Sequence, residues 1–246
     1  MKTRIIILAA GKGTRMGNGI PKVLTPFRGK PLIEHLLLTV KDSGVDPRPI
    51  IVVGHGADTV MKTLGDEYEY VRQKEQFGTG HAVRCAKSLL QGKTDAVLTL
   101  YGDHPLVSAE TIKRLENLHR EKGEVLTLAV TTVDDFSGWR APLADFGRVV
   151  RDSLGNIASI VEAKDATPNE LLIREVNPSF FCFSSNWLWE NLEKLTNQNA
   201  KCEYYLTDLV GIAMQEGHSI PSLNIKPLES IGVNSLTHLE IANGLA

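Results

Sequence analysis

Apolar residues follow two rhythms along the chain. The continuous run Ile5-Ile6-Ile7-Leu8 is too short for a helix and suits a strand buried on both faces. Leu32, Leu36 and Val40 recur instead at helical spacing, with Gly44 as a stop signal. On these patterns strands are predicted over 4–8, 50–53, 68–72, 96–101 and 125–133. Helices are predicted over 32–43, 79–90 and 109–122, with Ser108 as a cap for the last. Strand and helix alternate, which predicts right-handed βαβ units and an α/β fold with a mostly parallel sheet covered by helices on both faces. From about Asp134 the texture changes. Segments 147–151 and 157–162, separated by Asp152-Ser153-Leu154-Gly155-Asn156, predict a hairpin. A strand is expected over 176–183 and helices over 186–195 and 206–215. No linker, repeat or low-complexity stretch interrupts the chain. The expectation is a single domain over 1–246, with a nucleotide-binding half to about 133 and a half for a second substrate from about 134.

The first strand empties into Ala9-Ala10-Gly11-Lys12-Gly13-Thr14-Arg15-Met16, followed by Pro21-Lys22. Small residues let backbone N–H groups approach an anion closely, and Lys12, Arg15 and Lys22 bring positive charge to the same loop. The frame is not a Walker loop, since Gly13 is followed by Thr14 rather than Lys. It is not a dinucleotide fingerprint either, because Met16 stands where the third glycine belongs and the second strand runs into Gly54-His55-Gly56 without an acid. A triphosphate cradle built on Arg and Lys remains.

Composition narrows the partners. A net charge of −2 gives no case for nucleic acid or an anionic membrane, so the positive first loop reads as placed for a small anion. Hydrophobic content of 42% is enough for a sizeable core. Cys85, Cys182 and Cys202 have no C-x-x-C spacing and read as reduced thiols. No apolar run approaches the ~20 residues of a membrane span, and the chain enters a strand almost at once, so a cytoplasmic protein is expected.

Other strand ends add chemistry. Asp103, in Tyr101-Gly102-Asp103-His104-Pro105-Leu106, falls at the carboxyl end of the fourth strand, where ligands of open α/β sheets gather. A carboxylate facing a triphosphate suits a bridging magnesium ion; an Asp accepting backbone hydrogen bonds in a turn is the plainer reading. Gln73 offers an amide for a base edge, and Gly78-Thr79 offers backbone and hydroxyl groups at a helix start; a capped helix with a surface glutamine is the alternative. His55, His81 and His104 all fall in strand-to-helix loops but share no ligand spacing for zinc. Gly147, Glu162 and Asn177 supply the mixed donors and acceptors that a hydroxyl-rich ligand needs. Tyr204-Tyr205-Leu206-Thr207-Asp208 reads as an aromatic contact and a helix start, and Trp139, Trp187 and Trp189 as packing. Asn234, in Gly232-Val233-Asn234, is either a turn residue or a neutral metal ligand.

Taken in order, these segments resemble a known family. Leu8 to Met16 with Pro21-Lys22-Val23-Leu24, Gln76-Phe77-Gly78-Thr79-Gly80-His81-Ala82, Tyr101 to Leu106, Val161-Glu162-Ala163-Lys164-Asp165-Ala166, Glu203 to Asp208 and Gly232-Val233-Asn234 are similar to the uridylyltransferase domain of bacterial N-acetylglucosamine-1-phosphate uridylyltransferases, within the sugar nucleotidyltransferase superfamily. The resemblance runs from about residue 4 to 240 and implies a Rossmann-like sheet of the nucleotide-diphospho-sugar transferase type. It implies that UTP and N-acetylglucosamine 1-phosphate become UDP-N-acetylglucosamine and pyrophosphate, a step toward the bacterial cell wall, with Mg2+ as cofactor. By resemblance Leu8, Ala9, Ala10 and Gly11 contact the nucleotide, and Arg15 and Lys22 its phosphates. Gln73, Gln76, Gly78 and Thr79 read or flank the uracil, and Tyr101 and Gly102 line the pocket. Asp103 and Asn234 hold the magnesium, and Gly147, Glu162 and Asn177 hold the sugar.

Two departures lie on the sugar side. A compact D-P-x-G-Y-G-R turn of the family is longer here, from Asp135 to Arg148, and the family's Asn-Thr-Gly is Asn177-Pro178-Ser179, where proline removes a backbone donor. These differences admit a nucleotidyltransferase for another sugar 1-phosphate. An inactive nucleotide-binding regulatory module is a further alternative, against which the joint presence of Arg15, Lys22, Asp103 and Asn234 speaks. A metal-dependent glycosyltransferase would show Asp-x-Asp where this chain has Gly102-Asp103-His104. The hexapeptide-repeat acetyltransferase of bifunctional relatives is not expected in this sequence.

Overall fold

A computed structural model of the chain describes residues 1–13, 16 and 19–245. In chain order the strands are β1 (Thr3–Ala9), β2 (Pro26–Phe27), β3 (Lys30–Pro31), β4 (Ile50–Val53), β5 (Glu69–Arg72), β6 (Ala96–Tyr101), β7 (Leu126–Thr132), β8 (Gly147–Arg151), β9 (Ile157–Val161), β10 (Glu175–Asn177), β11 (Phe181–Ser184) and β12 (Ser222–Asn224). The helices are α1 (Leu32–Ser43), α2 (Ala57–Leu64), α3 (Thr79–Cys85), α4 (Lys87–Leu90), α5 (Ala109–Lys122), α6 (Pro168–Leu171), α7 (Ser185–Asn191), α8 (Asp208–Gln215) and α9 (Leu236–Leu245).

The central sheet is mixed. Its parallel block runs β5-β4-β1-β6, with Ile6 of β1 opposite Ile50 on one side and Thr99 on the other. Beyond β6 the order continues β11-β7-β10-β8-β9, antiparallel at each step, and β12 lies parallel to β7. Both faces are covered, which explains the unbroken apolar run of β1. Ile5, Ile7 and Ala9 pack with Ile33, Leu36 and Val40 of α1 and with Ile112 and Leu115 of α5. Ile6 and Leu8 point the other way, onto Ala82 and Val83 of α3, Leu188 of α7 and Leu209 of α8. Each of these larger side chains contributes on the order of 1.5–3 kcal/mol by leaving water.

Helices α1 and α5 have the predicted bounds, and Ser108 Oγ accepts the Thr111 N–H at 3.1 Å as the α5 cap. The hairpin also forms, with Asp152 Oδ1 accepting the Leu154 and Asn156 N–H groups in its turn. Trp187 and Trp189 are core residues, as expected.

Several elements differ. The helix expected over 79–90 divides at Ala86 into α3 and α4, and the one over 186–195 narrows after Asn191 to a 3-10 turn, Leu192–Lys194. The strand expected over 176–183 is broken into β10 and β11. Pro178 has no N–H for the ladder, and Ser179 adopts φ +66° while its N–H donates to Asn177 Oδ1 at 2.6 Å. The sequence pattern missed α2, which starts after Gly56 without a side-chain cap, and also α9, β12 and the 3-10 segment Gly138–Asp145, which holds Pro142 within it.

Candidate active-site cleft

Parallel strands deliver their carboxyl ends to one edge, and a cleft of about 410 Å³ opens there. Its floor is the end of β1, with Leu8, Ala9, Ala10 and Gly11, and the end of β6, with Tyr101 and Asp103. Gln73, Gln76, Gly78 and Thr79 wall one side, while Gly147, Glu162 and Asn177 wall the other, and Lys22 and Asn234 also face in.

Three polar groups meet at the floor. Lys22 Nζ pairs with Asp103 Oδ2 and donates to Asn234 Oδ1 at 2.8 Å. Burial works against the Asp103 carboxylate, but Lys22 and His104 outweigh it and hold the group well below the usual carboxylate range. Among the described residues the Asp103 carboxylate thus takes side chains, not the backbone N–H groups of the plainer reading, and its own carbonyl accepts the Val233 N–H at 2.9 Å and so ties β6 to the Asn234 segment. The first loop packs against Lys22: Gly13 adopts φ +59°, and a Cβ there would stand 2.6 Å from Lys22 Cβ. Lys12 is exposed and does not line the cleft. Arg15 lies outside the described residues. Gly102 sits beneath the floor rather than on it, since a Cβ there would meet Val23 and Ile33.

The wall from Gln73 to Thr79 is held from behind. Gln73 is buried, and its Nε2 lies 3.1 Å from the Gly78 carbonyl and 3.0 Å from His81 Nδ1; it is not the surface glutamine of the alternative reading. Tyr204 N–H donates to the Phe77 carbonyl and Gly80 N–H to the Tyr204 carbonyl, both at 2.8 Å. Leu206 N–H donates to Thr79 Oγ1 at 2.9 Å. Gly78 is required at this seam, because at φ +106° a Cβ would come within 2.7 Å of the Tyr204 carbonyl oxygen.

On the opposite wall, Thr207 Oγ1 donates to Glu162 Oε1 at 2.9 Å, while burial pushes the Glu162 carboxyl up. Asn177 is 2% exposed; its Oδ1 is taken by Ser179, and its Nδ2 has no partner among the described residues. Burial also raises the Tyr101 phenol, which lines the cleft between the two walls. His104, Asp145, Phe146, Ser179, Lys201 and Thr207 line the cleft without having been singled out as site residues by the sequence. For Thr207 a signal existed in the Glu203–Asp208 motif; Asp145 and Phe146 lie within the lengthened turn.

Among the described residues, no helix is long and apolar enough to cross a membrane. Comparison with known proteins agrees with the geometry. The chain is 42% identical over 238 residues to the bifunctional protein GlmU of Shouchella clausii, covering 96% of this chain and 51% of that protein. It is 41% identical over 240 residues to the bifunctional protein GlmU of Enterococcus faecalis, covering 97% and 50%. The chain thus spans about half the length of these curated relatives. A UDP-glucose pyrophosphorylase solved with UDP-glucose shares the fold, with a TM-score of 0.76 at 18% identity over 99% of this chain and 98% of that one. The sequence model for the MobA-like NTP transferase domain matches residues 5–203, a range that takes in the parallel block and most of the cleft. The chain belongs to that family of nucleotidyltransferases.

Proposed function

We propose that the protein transfers the uridylyl group of UTP to N-acetylglucosamine 1-phosphate, giving UDP-N-acetylglucosamine and pyrophosphate. The observation that carries this is the meeting of Lys22, Asp103 and Asn234 at the cleft floor, between a glycine-bearing wall and a wall of mixed donors and acceptors. Such a floor suits a triphosphate whose α-phosphorus sits between a base site and a sugar site. The GlmU relatives, which match nearly the whole of this chain, support the same assignment.

An oxygen of the sugar phosphate attacks the α-phosphorus in line, a new O–P bond forms, and the bond to pyrophosphate breaks. The nucleophile is already an anion, so no general base is needed, and positioning and charge compensation carry the catalysis. Lys22 supplies charge from the floor, and Arg15 is assigned to the phosphates from its place in the loop. Asp103 Oδ2 and Asn234 Oδ1 already converge on one cation, the Lys22 ammonium, and are the hard oxygen donors that magnesium prefers. When bound there, magnesium would neutralise phosphate charge. Gln73, Gln76, Gly78 and Thr79 would flank the uracil against Leu8, Ala9, Ala10 and Gly11. Gly147, Glu162 and Asn177 would receive the sugar, with Asn177 Nδ2 as a buried donor for one of its oxygens. The reading places the protein in the cytoplasm, with its nucleotide supply.

A second reading keeps the chemistry and changes the sugar. Asp145, Phe146, Pro178 and Ser179 all line the sugar wall, and all fall where the sequence departs from the family pattern. Pyrophosphate release from UTP with a panel of sugar 1-phosphates separates the two. Highest kcat/KM with N-acetylglucosamine 1-phosphate is expected. A clear preference for another sugar supports the second reading, and release with none of them defeats both.

A further inference from the structure

We infer that His104 is a positioning residue for Asp103, fixing one carboxylate oxygen so that the other stays aimed at the cation seat shared with Asn234. The inference rests on the nucleotidyl-transfer reading above and concerns a residue to which that reading gives no role.

The imidazole is 5% exposed and is gripped by aromatic rings, edge-on to Phe180 at 5.1 Å and beside Tyr101 and Phe146. Its Nδ1 lies 3.1 Å from Asp103 Oδ1, while Oδ2 of the same carboxylate takes Lys22. An ionised carboxylate only accepts, so the proton of this hydrogen bond belongs to the imidazole Nδ1. The terminal torsion of an Asp is broad, and a carboxylate tied at one oxygen loses that freedom.

The ring also reaches the segment that carries Asn234. A Cβ on Gly232 would stand 2.8 Å from His104 Cε1 and 3.0 Å from Nε2, so Gly232 lies directly on the ring. Two residues later Asn234 Oδ1 accepts from Lys22. His104, next to Asp103 in the chain, therefore packs its ring against the segment that bears the other candidate ligand. Partners that orient a metal ligand in this manner typically change metal affinity or activity about 10–100-fold when removed.

The test compares wild type, His104→Leu and His104→Asn in the full chain, without sugar phosphate. Affinity for UTP is measured with magnesium and with a chelator, and the ratio reads the contribution of the metal. Leucine fills the space without a donor, while the asparagine amide presents an N–H near the place of Nδ1. Leu is expected to lose about tenfold or more of the magnesium-dependent gain. Asn is expected to keep most of it, and UTP affinity in chelator should stay level in both. A full gain in His104→Leu, or equal losses in Leu and Asn, overturns the inference. Should the Leu variant not fold, His104→Phe, a ring without a donor, must show the same loss. A wild type that binds no UTP overturns the functional reading and this one with it; a wild type with the gain and an unchanged Leu variant overturns His104 alone.

Discussion

Lys22 serves two acceptors with one ammonium: Asp103, just past the end of β6, and Asn234, in the segment that precedes α9. Lys22→Ala leaves the Asp103 carboxylate buried without its cation. Turnover in pyrophosphate release should fall on the order of 10²–10³-fold, the scale for one lost transition-state donor; near-normal turnover would remove Lys22 from the chemistry. Asp103→Asn keeps the shape and loses the charge, so activity should need far more magnesium, and an unshifted magnesium titration would count against Asp103 as a ligand. Asp103 was legible beforehand for a topological reason: parallel strands end at one edge, so a polar residue following such a run points there whatever its sequence distance. Lys22 was legible from the charge of the first loop, and Asn234 only through the resemblance. Ser179 and Asp145 were not legible, because a broken strand and a lengthened turn present them to the cleft.

At the level of elements, the seam between the Gln73–Thr79 wall and the Tyr204 segment backs the proposed base site. Gly78→Ala forces a Cβ onto the Tyr204 carbonyl at a backbone angle that side chains avoid, and should cost roughly 1–3 kcal/mol of stability with weakened UTP binding. Denaturant unfolding and UTP titration of the variant check both. Helix α5 carries a different dependence. Burial depresses the His119 pKa to about 4, and its Nδ1 lies 3.1 Å from Thr127 Oγ1 of β7. A group depressed in the folded state contributes stability that is present above its unfolded value of about 6.5 and is lost as pH falls toward 4. The loss should reach up to about 3 kcal/mol and shrink in His119→Gln, as read from urea midpoints between pH 7.5 and 4.5. Helix α1 could be read from the sequence because its apolar period runs into the Gly44 stop, and α5 because Ser108 caps its start. Helix α2 could not, since its short length and uncapped start leave no local signal above the loop around it.

Across the whole molecule, the wall proposed for the nucleotide belongs to the parallel block and the wall proposed for the sugar to the antiparallel continuation. Hydrogen exchange should separate them. UTP with magnesium is expected to protect amides near 9–13 and 73–80, and sugar phosphate those near 147 and 177–179; protection of both sets by either ligand alone would show that the walls move as one. The central sheet was foreseen from alternating strands and helices, while the order beyond β6 was not, because no local pattern says where β11 inserts. The backbone bonds that Tyr204 donates to Phe77 and accepts from Gly80 tie the two halves of the chain together. A chimera that exchanged the later half for that of a relative would also exchange the backing of the loop proposed to read the base. On the proposed assignment, sugar choice and nucleotide choice are therefore not free to be recombined as separate cassettes. A graft meant to alter the sugar has to keep the native 203–206 stretch, or it inherits a loosened grip on the base.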